Sequence, residues 1–353
     1  MQLKRKIAER ISLEGPISIS KYMEICLWDP YEGYYSKKQI IGKDGDFVTS
    51  PELSQTFGEL IGLWSLSQHL QKFKDKKLSL LELGPGKGTL VSDALRAINK
   101  IIKNKIETEV YLLEKSTALK SIQQKKLLGF NIKWLDDVRK IPQKPLVIIA
   151  NEFFDSLPIN QYVKVKGGWQ ERKIAVKNNN FYFTLDQKVV KFKTNFFDNT
   201  PLGSIIEYSF ISVEIISLIC EHIKKFGSIA LIIDYGETFG CGDTLQAIKN
   251  HTPEFILNNP GKSDLSSHVN FSSLAKVALE RDLFVSPVLE QYKFLKNLGI
   301  ENRLKQLIKL NPGKNIYSEI NGIKKLIDPE NMGTLFKVLA IFDGKLAHLE
   351  GFS

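Results

Sequence analysis

The chain has 353 residues, 43% hydrophobic and 25% charged, with a formal net charge of +10. That composition excludes a disordered or fibrous chain, and no apolar run approaches the ~20 residues of a membrane-spanning helix. The basic excess is lysine scattered along the chain, with arginine only at Arg5, Arg10, Arg96, Arg139, Arg172, Arg281 and Arg303. Sequence-specific nucleic-acid readers favour bidentate arginine, so the charge reads as compositional bias and no nucleic-acid partner is expected.

Cys26, Cys220 and Cys241 are odd in number and lack metal-type spacing, and so read as reduced thiols. His69, His222, His251, His268 and His348 never fall at ligand spacing, so no metal site is expected. The N-terminus alternates charge with apolarity and carries Glu9 and Glu14, unlike a signal or transit peptide. The expectation is a cytoplasmic location, or the mitochondrial matrix if the source is eukaryotic.

In chain order, Lys4–Leu13 and Ile19–Leu27 have helical periodicity, and a turn-rich segment follows at Asp29–Tyr35. A Gly/Pro-punctuated stretch, Gly42–Pro51, precedes an apolar helix from about Ser54 to Phe73. From residue 78 strands and helices alternate. Leu78–Leu83, Glu109–Glu114, Asn131–Leu135 and Leu146–Asn151 read as strands, and Thr89–Lys103 and Thr117–Leu128 as helices. That order predicts an open, mostly parallel sheet with right-handed crossovers. Gln161–Val190 then reads as an antiparallel insertion on the sheet. A long helix (about Ile205–Phe226) and a strand (Ser228–Tyr235) restore the α/β pattern. The tail offers a strand at Thr244–Lys249, helices at about Ser272–Glu280 and Ile300–Leu310, and a closing strand near Leu335–Phe342. Residues 1–75 thus form a helical cap with a cofactor-covering loop, and 76–353 a Rossmann-like domain with an insertion at about 160–200.

The segment Glu82-Leu83-Gly84-Pro85-Gly86-Lys87-Gly88-Thr89 joins the first strand to its helix. Such a glycine turn lets a ligand lie against backbone at a helix N-terminus, at the carboxyl end of the sheet. A dinucleotide fingerprint would need glycine where Thr89 stands, and a phosphate loop would need Ser or Thr where Gly88 stands. Acids follow at successive strand tips. Glu114 can accept both ribose hydroxyls, and Asp136 or Asp137 can meet an adenine amino group. Asn151-Glu152-Phe153-Phe154-Asp155 marks where chemistry would occur. Taken singly these acids suit a solvated surface or a helix cap; their order at successive tips suits S-adenosylmethionine.

The acidic strand before a glycine turn resembles class I methyltransferases. The run Gly45–Glu59 (Gly-Asp-Phe-Val-Thr-Ser-Pro-Glu-Leu-Ser-Gln-Thr-Phe-Gly-Glu) then resembles the signature of the MidA family. The likeness extends through Glu82–Arg96, Asn151–Pro158, Asp234-Tyr235-Gly236, Gln291–Gly299 and Asp328–Gly333, nearly the whole chain. It implies a class I, Rossmann-like methyltransferase with S-adenosyl-L-methionine as cofactor. It further implies symmetric dimethylation of arginine on a protein substrate, a core subunit of respiratory complex I. Ser156 and Lys87 depart from the commoner family residues without disturbing the cofactor site.

Methyl transfer from a sulfonium is an in-line displacement that needs positioning and exclusion of water, and no metal. A guanidinium is a poor nucleophile, and paired carboxylates can grip and orient it. Glu152 and Asp155 are the candidates for that task, with Asn151 holding either the methionine end or the acceptor. Phe153 and Phe154 suit either the site wall or the core. Thr49, Glu52 and Gln55 are expected to fold over the cofactor, and Ser50-Pro51-Glu52 also reads as an N-cap followed by proline. Thr49, Ser50, Glu82, Gly84, Pro85, Gly86, Gly88, Glu114, Asp136, Asp137 and Asn151 are the expected cofactor residues. Asp234 and Tyr235 suit either the acceptor site or packing. The residues leave open a small-molecule acceptor, and an assembly module that binds the cofactor without turnover. An Asp/Asn-Pro-Pro-Tyr motif is absent after the fourth strand, which argues against adenine methylation.

Overall fold

A computed structural model describes residues 2–36, 48–73, 77–103, 106–192, 200–239, 242–311, 316–344, 346 and 348–352. Gly45–Phe47 of the family-like run and Cys241 lie outside the described residues. The N-terminal part comprises α1 (Gln2–Glu14), β1 (Ile17–Ser18), α2 (Ile19–Trp28), α3 (Ser50–Leu53) and α4 (Gln55–Lys72). The alternating core follows as β2 (Lys77–Leu83), α5 (Thr89–Ile102), β3 (Glu107–Leu113), α6 (Thr117–Lys126), β4 (Ile132–Leu135) and β5 (Val147–Asn151). Then come β6 (Asn160–Val165), β7 (Gly168–Lys177), β8 (Asn180–Val190), β9 (Ile205–Tyr208), α7 (Phe210–Phe226) and β10 (Ile229–Glu237). The tail holds β11 (Gln246–Lys249), β12 (Thr252–Glu254), β13 (Asp264–Ser266), β14 (Val269–Asn270), α8 (Phe271–Leu279), β15 (Phe284–Val285) and β16 (Leu289–Glu290). It ends with α9 (Gln291–Asn297), α10 (Ile300–Leu310), α11 (Tyr317–Ile327) and β17 (Phe336–Phe342).

The main sheet runs β15-β17-β10-β5-β2-β3-β4, with β10, β5, β2, β3 and β4 parallel and β17 antiparallel to β10. Strand alternation divides its apolar residues between two faces. Leu78, Leu80, Ile229, Leu231 and Ile233 pack with Phe57, Ile61 and Trp64 of α4 and with Leu90, Leu95 and Ile98 of α5. Leu81, Leu83, Ala230 and Ile232 pack with Ile216, Ile219 and Ile223 of α7 and with Phe271 and Leu274 of α8. Each fully buried Leu, Ile or Phe among them contributes ~1.5–3 kcal/mol by leaving water. Chain order reverses between β2 and β5, and their carboxyl ends open a crevice there.

The segment expected to extend the sheet forms a sheet of its own, ordered β1-β7-β6-β9 with β8 on β7. Leu3, Ile7 and Ile11 of α1, spaced for one helical face, pack with Ile174 and Phe181 of that sheet and with Leu245 and Leu265. The N-terminal helices therefore divide: α1 and α2 join the inserted sheet, while α4 joins the main core. Ile205–Tyr208 is a strand and not the start of a helix, because β-branched Ile205 and Ile206 pair with β6. Only from Phe210, with Ser209 capping through its side chain, does α7 begin.

At the amino ends of the strands, Glu109 accepts a hydrogen bond from Lys133 at 2.5 Å and another from Lys144. Burial raises the Glu109 carboxyl, but these lysines outweigh it and hold the group at about 2. A depressed carboxylate stabilises the fold fully above its unfolded pKa of ~4.3 and loses that contribution as pH falls toward the folded value. Denaturation of the wild type should therefore show stability falling between pH 5 and pH 2. In Glu109→Gln that fall should flatten; an unchanged slope would remove Glu109 as its cause.

Candidate active site

A cavity of about 900 Å³ lies at the carboxyl ends of β2, β3 and β5. That is the volume class of cofactor sites. Its first wall is the turn after β2. Gly84 (φ +60°) and Gly86 (φ +52°) both take the left-handed conformation that favours glycine, and Gly88 closes the turn as N-cap of α5. A Cβ on Gly84 would stand 2.8 Å from the Phe153 ring. Gly88 is buried behind the wall against Gln123 and does not line the cavity.

Glu82, one residue before the end of β2, lines this wall, 4% exposed. Burial pushes its carboxyl up to about 8, against one opposing hydrogen bond from the Val91 backbone. One oxygen, Oε2, is buried without a hydrogen-bond partner, and so is Oδ1 of Asn151 across the crevice. Unpaired acceptors facing a cavity are costly unless a ligand donates to them. The cationic amino group of the expected cofactor is a donor that fits this pair of acceptors. Binding of such a cation should ionise Glu82, so calorimetry at pH 7 in buffers of differing ionisation enthalpy should show proton release on cofactor binding. Glu82→Gln should remove that release; its persistence would assign the proton to another group.

Glu114, just beyond β3, is 6% exposed and accepts from the Ser116 amide at 2.7 Å and from Gln123 Nε2 at 3.1 Å. Burial raises its pKa, and those donors oppose the rise. Its remaining lone pairs suit ribose hydroxyls. Gln123 also donates to the Gly86 carbonyl at 2.7 Å and accepts from Trp134 Nε1 at 2.8 Å, tying the glycine turn to the ribose acid. Asp136 and Asp137 line the far end. Asp136 pairs with Lys140 at 2.7 Å in an exposed position, and Asp137 caps a short helical turn through the Arg139 amide at 2.9 Å.

The opposite wall is built by Asn151–Phe153, Asp155–Leu157 and residues of α3. Glu152 has φ +51°, a left-handed conformation rare for any residue with a side chain, at a cost of ~1–2 kcal/mol. The Glu152 amide donates to Ile233 O at 2.9 Å, and its carboxylate accepts from the Ser50 amide at 2.7 Å and Asn151 Nδ2 at 3.3 Å. Burial raises the Glu152 carboxyl, and these donors oppose it. Asp155 is held well above the carboxylate range by burial and by the charges of Asp234, Glu152 and Asp264. Thr49 and Glu52 line the cavity, whereas Ser50 is fully buried behind it and reaches the site through its backbone. The N-cap of α3 is Thr49, one residue earlier than Ser50-Pro51 implied.

Phe153 borders the cavity, and Phe154 is 2% exposed in the core. Asp234 does not reach the cavity wall. It is fully buried, accepts from the amides of Phe153 (3.0 Å), Phe154 (2.8 Å) and Tyr235 (2.8 Å), and burial pushes it up to about 7. Its role is to hold the loop that carries Glu152. Tyr235 packs on His268, 4.2 Å between ring centroids.

Several wall residues escaped the sequence reading. Ser20, Glu24 and Trp28 of α2, Tyr34 and Tyr35, Glu214 of α7 and Asp264 of β13 all line the cavity. Trp28 stacks on Tyr35 at 4.6 Å, and Tyr35 donates to Asp264 at 3.1 Å. They come from three distant segments, so only the tertiary fold unites them. The result is a strongly acidic chamber in a basic protein. Carboxylates at residues 24, 52, 82, 114, 136, 137, 152, 155, 214 and 264 face only Lys87, Lys115 and Arg139 among the described lining residues. Among the described residues no cluster of His, Cys, Asp and Glu is arranged to hold a metal, and no helix is long and apolar enough to cross a membrane.

A family model for S-adenosyl-L-methionine-dependent methyltransferases matches residues 60–287. The chain is 34% identical to protein arginine methyltransferase NDUFAF7, mitochondrial, of Xenopus tropicalis, over 94% of this chain and 84% of that protein. It is 31% identical to the Homo sapiens protein of that name, over 96% of this chain and 82% of that one. A solved structure from Burkholderia thailandensis bound to S-adenosyl-homocysteine superposes with a TM-score of 0.88 at 24% identity, covering 99% of this chain and 94% of that one. The glycine turn, the strand-tip acids and these likenesses agree: the chain belongs to the family of S-adenosyl-L-methionine-dependent methyltransferases.

Proposed function

We propose that this methyltransferase modifies arginine in a protein, with a respiratory complex I core subunit as the acceptor, and that it acts in the cytoplasm of its source. The observation that carries the reading is the acidic chamber, which opens beside Glu152 and Asp155. Burial raises both carboxyls, and the charges of Asp234, Glu152 and Asp264 raise Asp155 further; an entering cation relieves both. A guanidinium remains charged at any ordinary pH and offers paired N–H donors to carboxylates. The curated relatives named protein arginine methyltransferase support the same acceptor. Symmetric dimethylation extends the family resemblance.

When bound, the cofactor supplies an electrophilic methyl group. Glu82, Glu114 and Asn151 would hold it, with Asp136 and Asp137 at the adenine end and Thr49 beside α3. Glu152 and Asp155 grip the acceptor, draw positive charge away from the attacking nitrogen and aim its developing lone pair. Phe153, Trp28 and Tyr35 keep water from the reacting atoms.

Calorimetry tests the acceptor class. The protein loaded with S-adenosylhomocysteine should bind arginine-bearing peptides from complex I core subunits at least ~10-fold more tightly than their citrulline counterparts, which lack the charge. Equal affinity for the two would overturn the reading of the chamber as a cation site.

A further inference from the structure

The turn α3 touches the site at two points: the Ser50 amide donates to Glu152 at 2.7 Å, and Glu52 accepts from the hydroxyl of Thr89 at the start of α5. Four residues cannot hold such a geometry by themselves. The third point of attachment lies outside the cavity. Glu319 of α11 gathers the donors where α3 passes into α4: the Ser54 hydroxyl, the Thr56 hydroxyl at 2.7 Å, the Thr56 amide at 3.1 Å and the Gln55 amide at 3.3 Å. A carboxylate there meets the positive end of the α4 dipole and satisfies amides that the helix leaves free. One turn along α11, Gly322 lies directly on α3, where a Cβ would stand 2.0 Å from the Leu53 carbonyl oxygen. Ser54 alone already caps α4 through its own side chain, so the α11 contacts exceed what ending a helix requires.

We propose that α11 seats α3 against the catalytic loop, with Glu319 as a positioning residue that holds the Ser50 amide on Glu152. The proposal rests on the reading of Glu152 as the residue that grips the acceptor. Its physical content is rigid-body: Glu319 and Gly322 fix both ends of the Leu53–Ser54 bend, and the bend fixes where the Ser50 N–H points. Losing the Glu319 acceptors, or wedging a side chain between α11 and Leu53 at Gly322, shifts α3 from its seat. A misplacement of ~1 Å costs ~100-fold in rate where a catalytic group must be aligned.

The test uses Glu319→Ala and, independently, Gly322→Val, with Glu319→Gln as a milder variant in case either fails to fold. Amide exchange is followed by NMR on the S-adenosylhomocysteine complex of the full chain. The Ser50 amide should exchange at least ~10-fold faster in each variant while amides of β2 and β5 keep their protection. Glu152→Ala should speed Ser50 exchange by itself, and adding Glu319→Ala should then change it little. The kcat for arginine methylation should fall ~10–100-fold with KM for S-adenosylmethionine within ~3-fold, a split that general destabilisation would not produce. Wild-type exchange at Ser50 in folded Glu319 variants would overturn the seating role. Full turnover in Glu152→Ala would instead overturn the catalytic reading of Glu152 and leave the exchange result standing as the separate measure of the seat.

Discussion

Glu152→Gln is expected to lower methyl transfer by ~10²–10⁴-fold while the Kd for S-adenosylhomocysteine stays within ~3-fold of wild type. The substitution keeps the length of the side chain and an oxygen able to accept from the Ser50 amide, so the loop and α3 keep their places. What disappears is the negative charge. An amide facing a guanidinium cannot compensate its charge, and it presents an N–H where an acceptor is needed. The left-handed φ of +51° argues the same way, since the fold holds an acidic side chain in a conformation it does not favour. Single-turnover kinetics beside a cofactor titration separate the two effects. Full turnover with normal cofactor affinity would move the acceptor grip to Asp155 or elsewhere.

Gly84→Val is the second large effect, expected to weaken cofactor binding by ~100-fold or more with the fold retained. From the sequence alone, the objection to a side chain there is that it would take the cofactor's place. The structure adds two more. At φ +60° a β-branched residue is strained by more than ~1–2 kcal/mol, and its Cβ would press on the Phe153 ring at 2.8 Å. Phe153 is the neighbour of Glu152, so the substitution disturbs both walls of the crevice together. Calorimetry with S-adenosylhomocysteine and a thermal melt decide the matter. Wild-type affinity would mean that the turn does not form the cofactor wall.

The parts of this molecule that were legible in the sequence are those written in local pattern. Apolar runs of strand length, alternating with helical segments, gave β2, β3, β5 and β10 to within two residues at either end, and the pattern of Ile300–Leu310 gave α10. The glycine turn and the acids at strand ends placed Glu82, Gly84, Glu114, Asn151, Glu152 and Asp155 on one cavity wall or another. Ser50 and Gly88 were drawn in by adjacency, yet both are buried behind the wall. Elements whose stability is tertiary were harder to see. The helix α9 has seven residues, too few to display a period, and α11 carries Asn321 and Gly322, which lower helix propensity. Gly322 is there for the approach to Leu53, a contact 269 positions away in sequence. The same applies to Trp28, Tyr35 and Asp264, which become site residues only when α2 and β13 fold over the sheet.

The most direct test supplies the purified protein with methyl-labelled S-adenosylmethionine and complex I core subunits, hydrolyses the product and identifies the labelled amino acid. Label recovered as dimethylarginine, absent with Glu152→Gln, is the predicted result. Label on lysine, on histidine or on a small molecule, with none on arginine, would contradict the account of the acidic chamber as a guanidinium site.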